Sequence, residues 1–241
     1  METLISLGYY VSTIGFLIAT VVTFNAARTC SQSGLKTVLN YLFIGTTTFL
    51  VITIFQKLSS INVFVISPES TDVWWHIMFY MAMISFYLGF KALARLGSTD
   101  GASTVSTDSG MVWGTVSLIV LVTAFVFASS SESTMQVYTS SRLGELGLHH
   151  FIAFVLAGIV GAYLFSAKLF LGQIGRAIAS PMIIAIWALA AQHLWELLYE
   201  SLKVVVVTSE AGEGVEKIFL VIAAACIVNA GLRLKSLSKT A

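Results

Sequence analysis

Apolar residues in this chain form long uninterrupted runs separated by short polar breaks, with little alternation inside a run. A hydrocarbon layer about 30 Å thick takes roughly 20 helical residues at about 1.5 Å each. Seven runs approach or exceed that length, over residues 4–30, 38–58, 73–96, 111–129, 149–171, 177–206 and 215–234. The breaks are a polar stretch with Pro68, Glu69 and Asp72, a Ser/Thr/Asp/Gly-rich loop over 97–110, a polar segment over 130–147, the Gly172/Gly175 turn, and a loop over 208–214. Pro181 is expected in the first turn of the sixth span, where its missing N–H costs little. Runs that are apolar on every face exclude a membrane barrel, which needs alternating segments of about ten residues. The expected fold is an all-α integral membrane protein, with residues 1–241 forming one bundle of seven transmembrane helices. The first run is longer than a signal-peptide core, and Arg28 follows it instead of preceding it, so it reads as a retained helix.

Composition narrows the picture further. With 57% hydrophobic and 10% charged residues, the chain is far from a soluble domain, which is about a quarter charged, and from a disordered one. A net charge of +1 offers no basic surface, so no nucleic-acid partner is expected. Cys30 and Cys226 are too few for a disulfide framework. The expected partners are the lipid bilayer and, in one reading, other membrane subunits; the location is a cell membrane or its equivalent, crossed several times.

Basic residues set the orientation. Alternating the loops across seven spans puts Arg28, Lys36, Lys91, Arg95, Lys168, Arg176, Arg233, Lys235 and Lys239 on one side, and Lys57, Arg142, Lys203 and Lys217 on the other. The first side is therefore cytoplasmic, with the N-terminus outside and the C-terminus inside. Most acids fall on the outer side, which makes that face attractive to cations.

Seven spans with the N-terminus outside also describe retinal pigments and G-protein-coupled receptors, but the residues disagree. The last span has no lysine near its middle for a Schiff base, and the third has no carboxylate as counter-ion. Lys217, at the outer mouth of the last span, reads as a snorkelling interfacial residue. The third span ends Lys91-Ala92-Leu93-Ala94-Arg95, without an acid-Arg-aromatic triplet. Retinal is therefore disfavoured.

Ionisable residues inside spans are functional candidates, and all four histidines fall at one level of the bundle. His76 opens the third span, His149 and His150 open the fifth, and His193 lies about two turns below the outer end of the sixth. His193, Glu196 and Glu200 follow the i, i+3, i+7 spacing of one helix face, flanked by Gln192 and Tyr199. Imidazole and carboxylate together are the ligand set of zinc, non-haem iron, copper or manganese, and helix bundles can assemble such sets from several helices. The expected site is a divalent transition metal, zinc, iron or copper, bound by His76, His149 or His150, His193 and Glu196, with Glu196 as catalytic proton acceptor. Glu200 reads as a solvated carboxylate at headgroup level.

Three functions fit these residues: a metal-dependent membrane enzyme, a non-enzymatic subunit or sensor-like module of a larger complex, and a b-type haem electron carrier. Haem needs two facing histidines and small residues beside them, which Ala153, Ala157, Gly158 and Gly161 would supply; the same stripe also suits close helix packing. Trp74, Trp75, Trp195 and Tyr199 read as an outer aromatic belt and Trp113 as an inner one. Tyr80 and Met83 are candidates to line a pocket, and Asn25 and Asn229 to bond to each other. No phosphate-binding glycine loop, nucleophile elbow or paired CxxC is present, so any chemistry belongs to the membrane region.

Overall fold

A computed structural model describes residues 2–60, 68–97, 146–169, 171 and 173–237. The described residues form six long helices and no strand: α1 Glu2–Thr29, α2 Ser33–Ser60, α3 Pro68–Gly97, α4 Leu148–Lys168, α5 Gln173–Glu196 and α6 Ser209–Leu237, with a π-helical turn Leu197–Ser201 after α5. All six are long and apolar enough to cross a membrane, which makes this a multi-pass membrane bundle. They correspond to six of the seven expected spans. The remaining span, 111–129, and Trp113 with it, lie outside the described residues.

Several helix ends differ from the expectation. The polar residues 68–72 belong to the start of α3, where Pro68 is the first helical residue. Residues 209–214 belong to α6, because Thr208 caps it: the Ala211 N–H meets the Thr208 hydroxyl at 3.3 Å and its carbonyl at 3.0 Å. The sixth span stops at Ser201 instead of Val206. Lys203 takes a left-handed φ of 51°, and the consecutive β-branched residues Val204, Val205, Val206 and Val207 disfavour resuming a helix. Pro181 lies well inside α5, not in its first turn. It cannot donate to the Ala177 carbonyl, and Arg233 Nη1 of α6 donates there instead at 2.9 Å. Arg233 Nε also donates to Asn229 Oδ1 at 3.0 Å, so Asn229 is engaged one turn along its own helix, not by Asn25.

The helices pack as a closed ring in chain order, with α6 returning against α1. Neighbouring contacts fix each direction. Phe16 stacks on Phe49 and Phe24 meets Phe43, so α1 and α2 are antiparallel; Phe55 against Trp74 and Tyr41 beside Gly89 make α2 and α3 antiparallel. By contrast, α3 and α4 are parallel, since His76 lies against His150 at one level and Tyr87 against Tyr163 further along both chains. The α1 and α6 helices are parallel too: Gly8 faces Lys217, Gly15 faces Ala224, and Val22 faces Gly231, at seven-residue steps. Small residues at these positions let the two backbones approach. The Ala153, Ala157, Gly161 stripe of α4 is buried, and a Cβ on Gly161 would come within 3.2 Å of Trp187 on α5. As the spacing predicted, that stripe is a helix-packing face.

Phe16, Phe49, Phe79 and Phe86 interlock at the centre of the ring. Leu7, Val11, Ile14, Ile18 and Val21 on α1 and Phe151, Val155 and Ile159 on α4 are exposed, the pattern of surfaces that meet lipid.

Candidate metal centre

Three helices bring polar groups together at one end of this apolar ring. His76 comes from the early turns of α3, His150 from the first turn of α4, and His193 and Glu196 from the end of α5; their side chains are all buried. The α4 helix is antiparallel to α5 because Gly161 packs beside Ile186 and Trp187 while His150 reaches Glu196. The α3 and α5 helices meet across the interior through side chains: Trp75 and Phe79 turn their rings against His193, at centroid distances of 4.9 and 4.2 Å.

Gly147 and the π-helical turn hold this end in register. Gly147 has φ +65°, a left-handed conformation that glycine adopts without strain, and a Cβ there would overlap Ser201. The start of α4 is thereby pressed onto the π-turn that follows Glu196. Such turns recur at functional sites because they change the helix phase locally.

One ligand atom from each of His76, His150, His193 and Glu196 lies within 4.8 Å of every other. His76 Nε2 is 3.1 Å from His150 Nδ1, which is also 3.1 Å from Glu196 Oε2. The same Oε2 is 2.7 Å from His193 Nδ1. That short approach is not aligned as a hydrogen bond, and neither nitrogen of the wholly buried His193 ring has a hydrogen-bond partner. The other oxygen, Glu196 Oε1, accepts from Gln192 Nε2 at 2.9 Å. A tetrahedral ion with bonds of about 2.1 Å has ligands about 3.4 Å apart, so this group can hold a metal ion once its short approaches widen and its longer ones, up to 4.8 Å, close.

His149 stands outside this group of four. Its ring is half-buried and lies 4.6 Å from that of His76, while its backbone carbonyl accepts from Tyr80 Oη at 2.9 Å. Tyr80 thus braces the start of α4, and Met83 is fully buried core. Glu200, expected as a solvated carboxylate, is half-exposed, and its Oε2 lies 3.6 Å from His150 Nε2.

Two expectations about this end of the bundle are overturned. Trp74 and Trp75 are buried, not part of an interfacial belt; Trp74 packs on Phe55, and Trp75 stacks on Phe79. Trp195 is only partly buried, stacks on Tyr199 and donates to the Gly212 carbonyl at 3.1 Å. Lys217 does not snorkel. It is buried between α6 and α1, with Nζ 4.3 Å from the centre of the Tyr9 ring and 3.6 Å from Glu216 Oε2. A glycine on α1, Gly8, makes room for its stem. Sequence reasoning missed the buried Glu216 and Lys217 as a pair; their only signal was two adjacent opposite charges inside an apolar run.

A b-type haem fits this geometry poorly. Two axial imidazoles need their nitrogens about 4 Å apart on opposite sides of a wide porphyrin plate, whereas His76 and His150 touch, and rings of Trp75 and Phe79 fill the space beside His193. The chain is therefore a multi-pass helical membrane protein with a buried His/Glu cluster able to take a metal ion. Comparison with known protein families, with curated proteins and with solved structures returned no match.

Proposed function

We propose that this chain is a seven-helix membrane protein that binds one divalent transition metal ion near the outer membrane face, through His76, His150, His193 and Glu196. The carrying observation is the pair of contacts made by His150 Nδ1. A ring nitrogen has either one proton or one in-plane lone pair. If Nδ1 is protonated, its single proton is shared between Glu196 and a bare His76 Nε2; if it is bare, it accepts from His76 and opposes an ionised Glu196 carboxylate. Protons alone leave one ring atom serving two contacts, and they leave the buried His193 with only a 2.7 Å approach to Glu196 that is not aligned as a hydrogen bond. A cation among the four groups turns every one of these lone pairs into a bond.

Zinc, iron and copper all accept three imidazoles and a carboxylate. When bound, such an ion polarises a water or a substrate oxygen. In an enzyme of this kind His76, His150 and His193 would hold the ion with its fourth position open, and Glu196, oriented by Gln192, would accept a proton instead of serving as a ligand. The seven-helix count is supported by the parallel α3 and α4. A chain that leaves α3 at one face and enters α4 at the other crosses an odd number of times, and 111–129 is the apolar run between them. The nine-to-four bias of basic residues supports an outer location for the site.

Elemental analysis and an absorption spectrum of the purified wild-type protein test the metal reading. The expected result is about one transition metal ion per chain with no Soret band. Absence of metal after reconstitution overturns it in favour of a non-enzymatic membrane module, for which the Gln192, Glu196 and His150 hydrogen bonds would be a static brace between α4 and α5. A Soret band overturns it in favour of haem.

A further inference from the structure

We propose that Glu200 is the positioning carboxylate of the metal centre, acting through His150; this rests on the metal reading above. His150 has a different neighbour on each side of its ring. Nδ1 faces the cluster, 3.1 Å from both His76 Nε2 and Glu196 Oε2, and Nε2 faces Glu200, 3.6 Å from Oε2. An ion held by Nδ1 takes the lone pair there, and the ring proton must then sit on Nε2, pointing at the Glu200 carboxylate. At 3.6 Å the contact is an ion-pair separation, longer than a hydrogen bond. The Glu200 side chain is 45% exposed, so a small rotation closes the gap. Metal-bound imidazoles commonly donate their other N–H to a carboxylate in this way, which fixes the tautomer and strengthens the ligand.

The local backbone explains why Glu200 is in reach. It lies in the π-helical turn Leu197–Ser201, directly against the Gly147 turn that launches α4. That seam brings the last acid of the sixth span to the outer side of His150, while Glu196, one turn earlier, occupies the inner side. One imidazole is thereby clamped between two carboxylates with separate tasks: Glu196 belongs to the cluster, and Glu200 holds the ring that serves it.

The test uses the full-length protein and cobalt(II) as probe, with affinity read by chelator competition and geometry by the ligand-field bands. Glu200→Ala should weaken cobalt binding by about 10–100-fold and leave the band positions unchanged, because the coordinating atoms stay the same. Glu200→Gln keeps an oxygen acceptor without the charge and should fall in between; since the side chain is half-exposed, both variants should fold. Unchanged affinity in Glu200→Ala, with wild type binding cobalt, overturns this inference alone. Shifted bands overturn it too, because Glu200 would then be a ligand itself. No cobalt uptake by wild type overturns the metal reading together with this one.

Discussion

His76 and His150 lie 3.1 Å apart on two helices that run in the same direction. Consecutive spans of a membrane chain run oppositely, and the proposed seven-helix topology accounts for this contact by one further crossing between α3 and α4. In a protein lacking Cys30 and Cys226, a cysteine at Glu210 or Ser133 should react with an impermeant thiol reagent on intact cells, and one at Ser236 or Ser106 should not. Labelling of Ser106 together with protection of Ser133 would overturn the orientation, and equal behaviour of the two positions would overturn the seventh span.

The buried face of α4 separates ligand from bystander. His150→Ala should abolish stoichiometric metal binding, whereas His149→Ala should retain it, since His149 is half-buried and its tie to Tyr80 runs through the backbone. His193→Ala should lose metal as well. Equal retention in all three, measured by elemental analysis after reconstitution, would count against the cluster as a metal site.

Gly161 sits where α4 packs on α5, and a Cβ there would press on Trp187 and Ile186. Gly161→Leu should destabilise the bundle by overpacking, about 1–3 kcal/mol, read as a lower midpoint of thermal unfolding in detergent. Gly158 has open space around it, and Gly158→Leu should have a much smaller effect.

Lys217 and Glu216 form a buried pair, so removing one member leaves the other charge uncompensated. Lys217→Met should cost about 3–5 kcal/mol, and Lys217→Met combined with Glu216→Gln should cost less than Lys217→Met alone. Additive losses in this double-mutant cycle would show that the two side chains do not depend on each other.

Arg233 replaces the donor that Pro181 removes from α5. Arg233→Ala should lower stability by about 0.5–1.5 kcal/mol, and Pro181→Ala in the same chain should recover part of it by restoring an N–H to the Ala177 carbonyl. Thermal unfolding of the single and double variants checks this.

The spans were legible because a bilayer demands length and apolarity, and both are properties of a run of residues regardless of rotation. Rotation was not legible. Helices apolar on every face carry no stripe to mark inside from outside, so Trp74, Trp75 and Lys217 looked like interfacial residues although they point inward. Level could be read, since it depends only on position along a span, and that is why the four histidines were found together. Only contact across helices distinguishes His150 from His149. Helix ends were misplaced where a local device decides them: the Thr208 cap starts α6 early, and the π-turn with Lys203 stops α5 before the valines.

The parallel pairing of α3 with α4 also bears on how the chain enters the bilayer during synthesis. The two helices that come first to the site bring only histidines, which can stay neutral while they wait in lipid. Glu196 arrives later on α5, when His76 and His150 are already present to receive it, and the costly Lys217 follows last with Glu216 beside it. An acid or ammonium inserted early would have faced hydrocarbon without a partner, at roughly 2.5–3.5 kcal/mol on the translocon scale. The order of residues along the chain thus brings Glu196 in after the two imidazoles it meets, and Lys217 in together with Glu216.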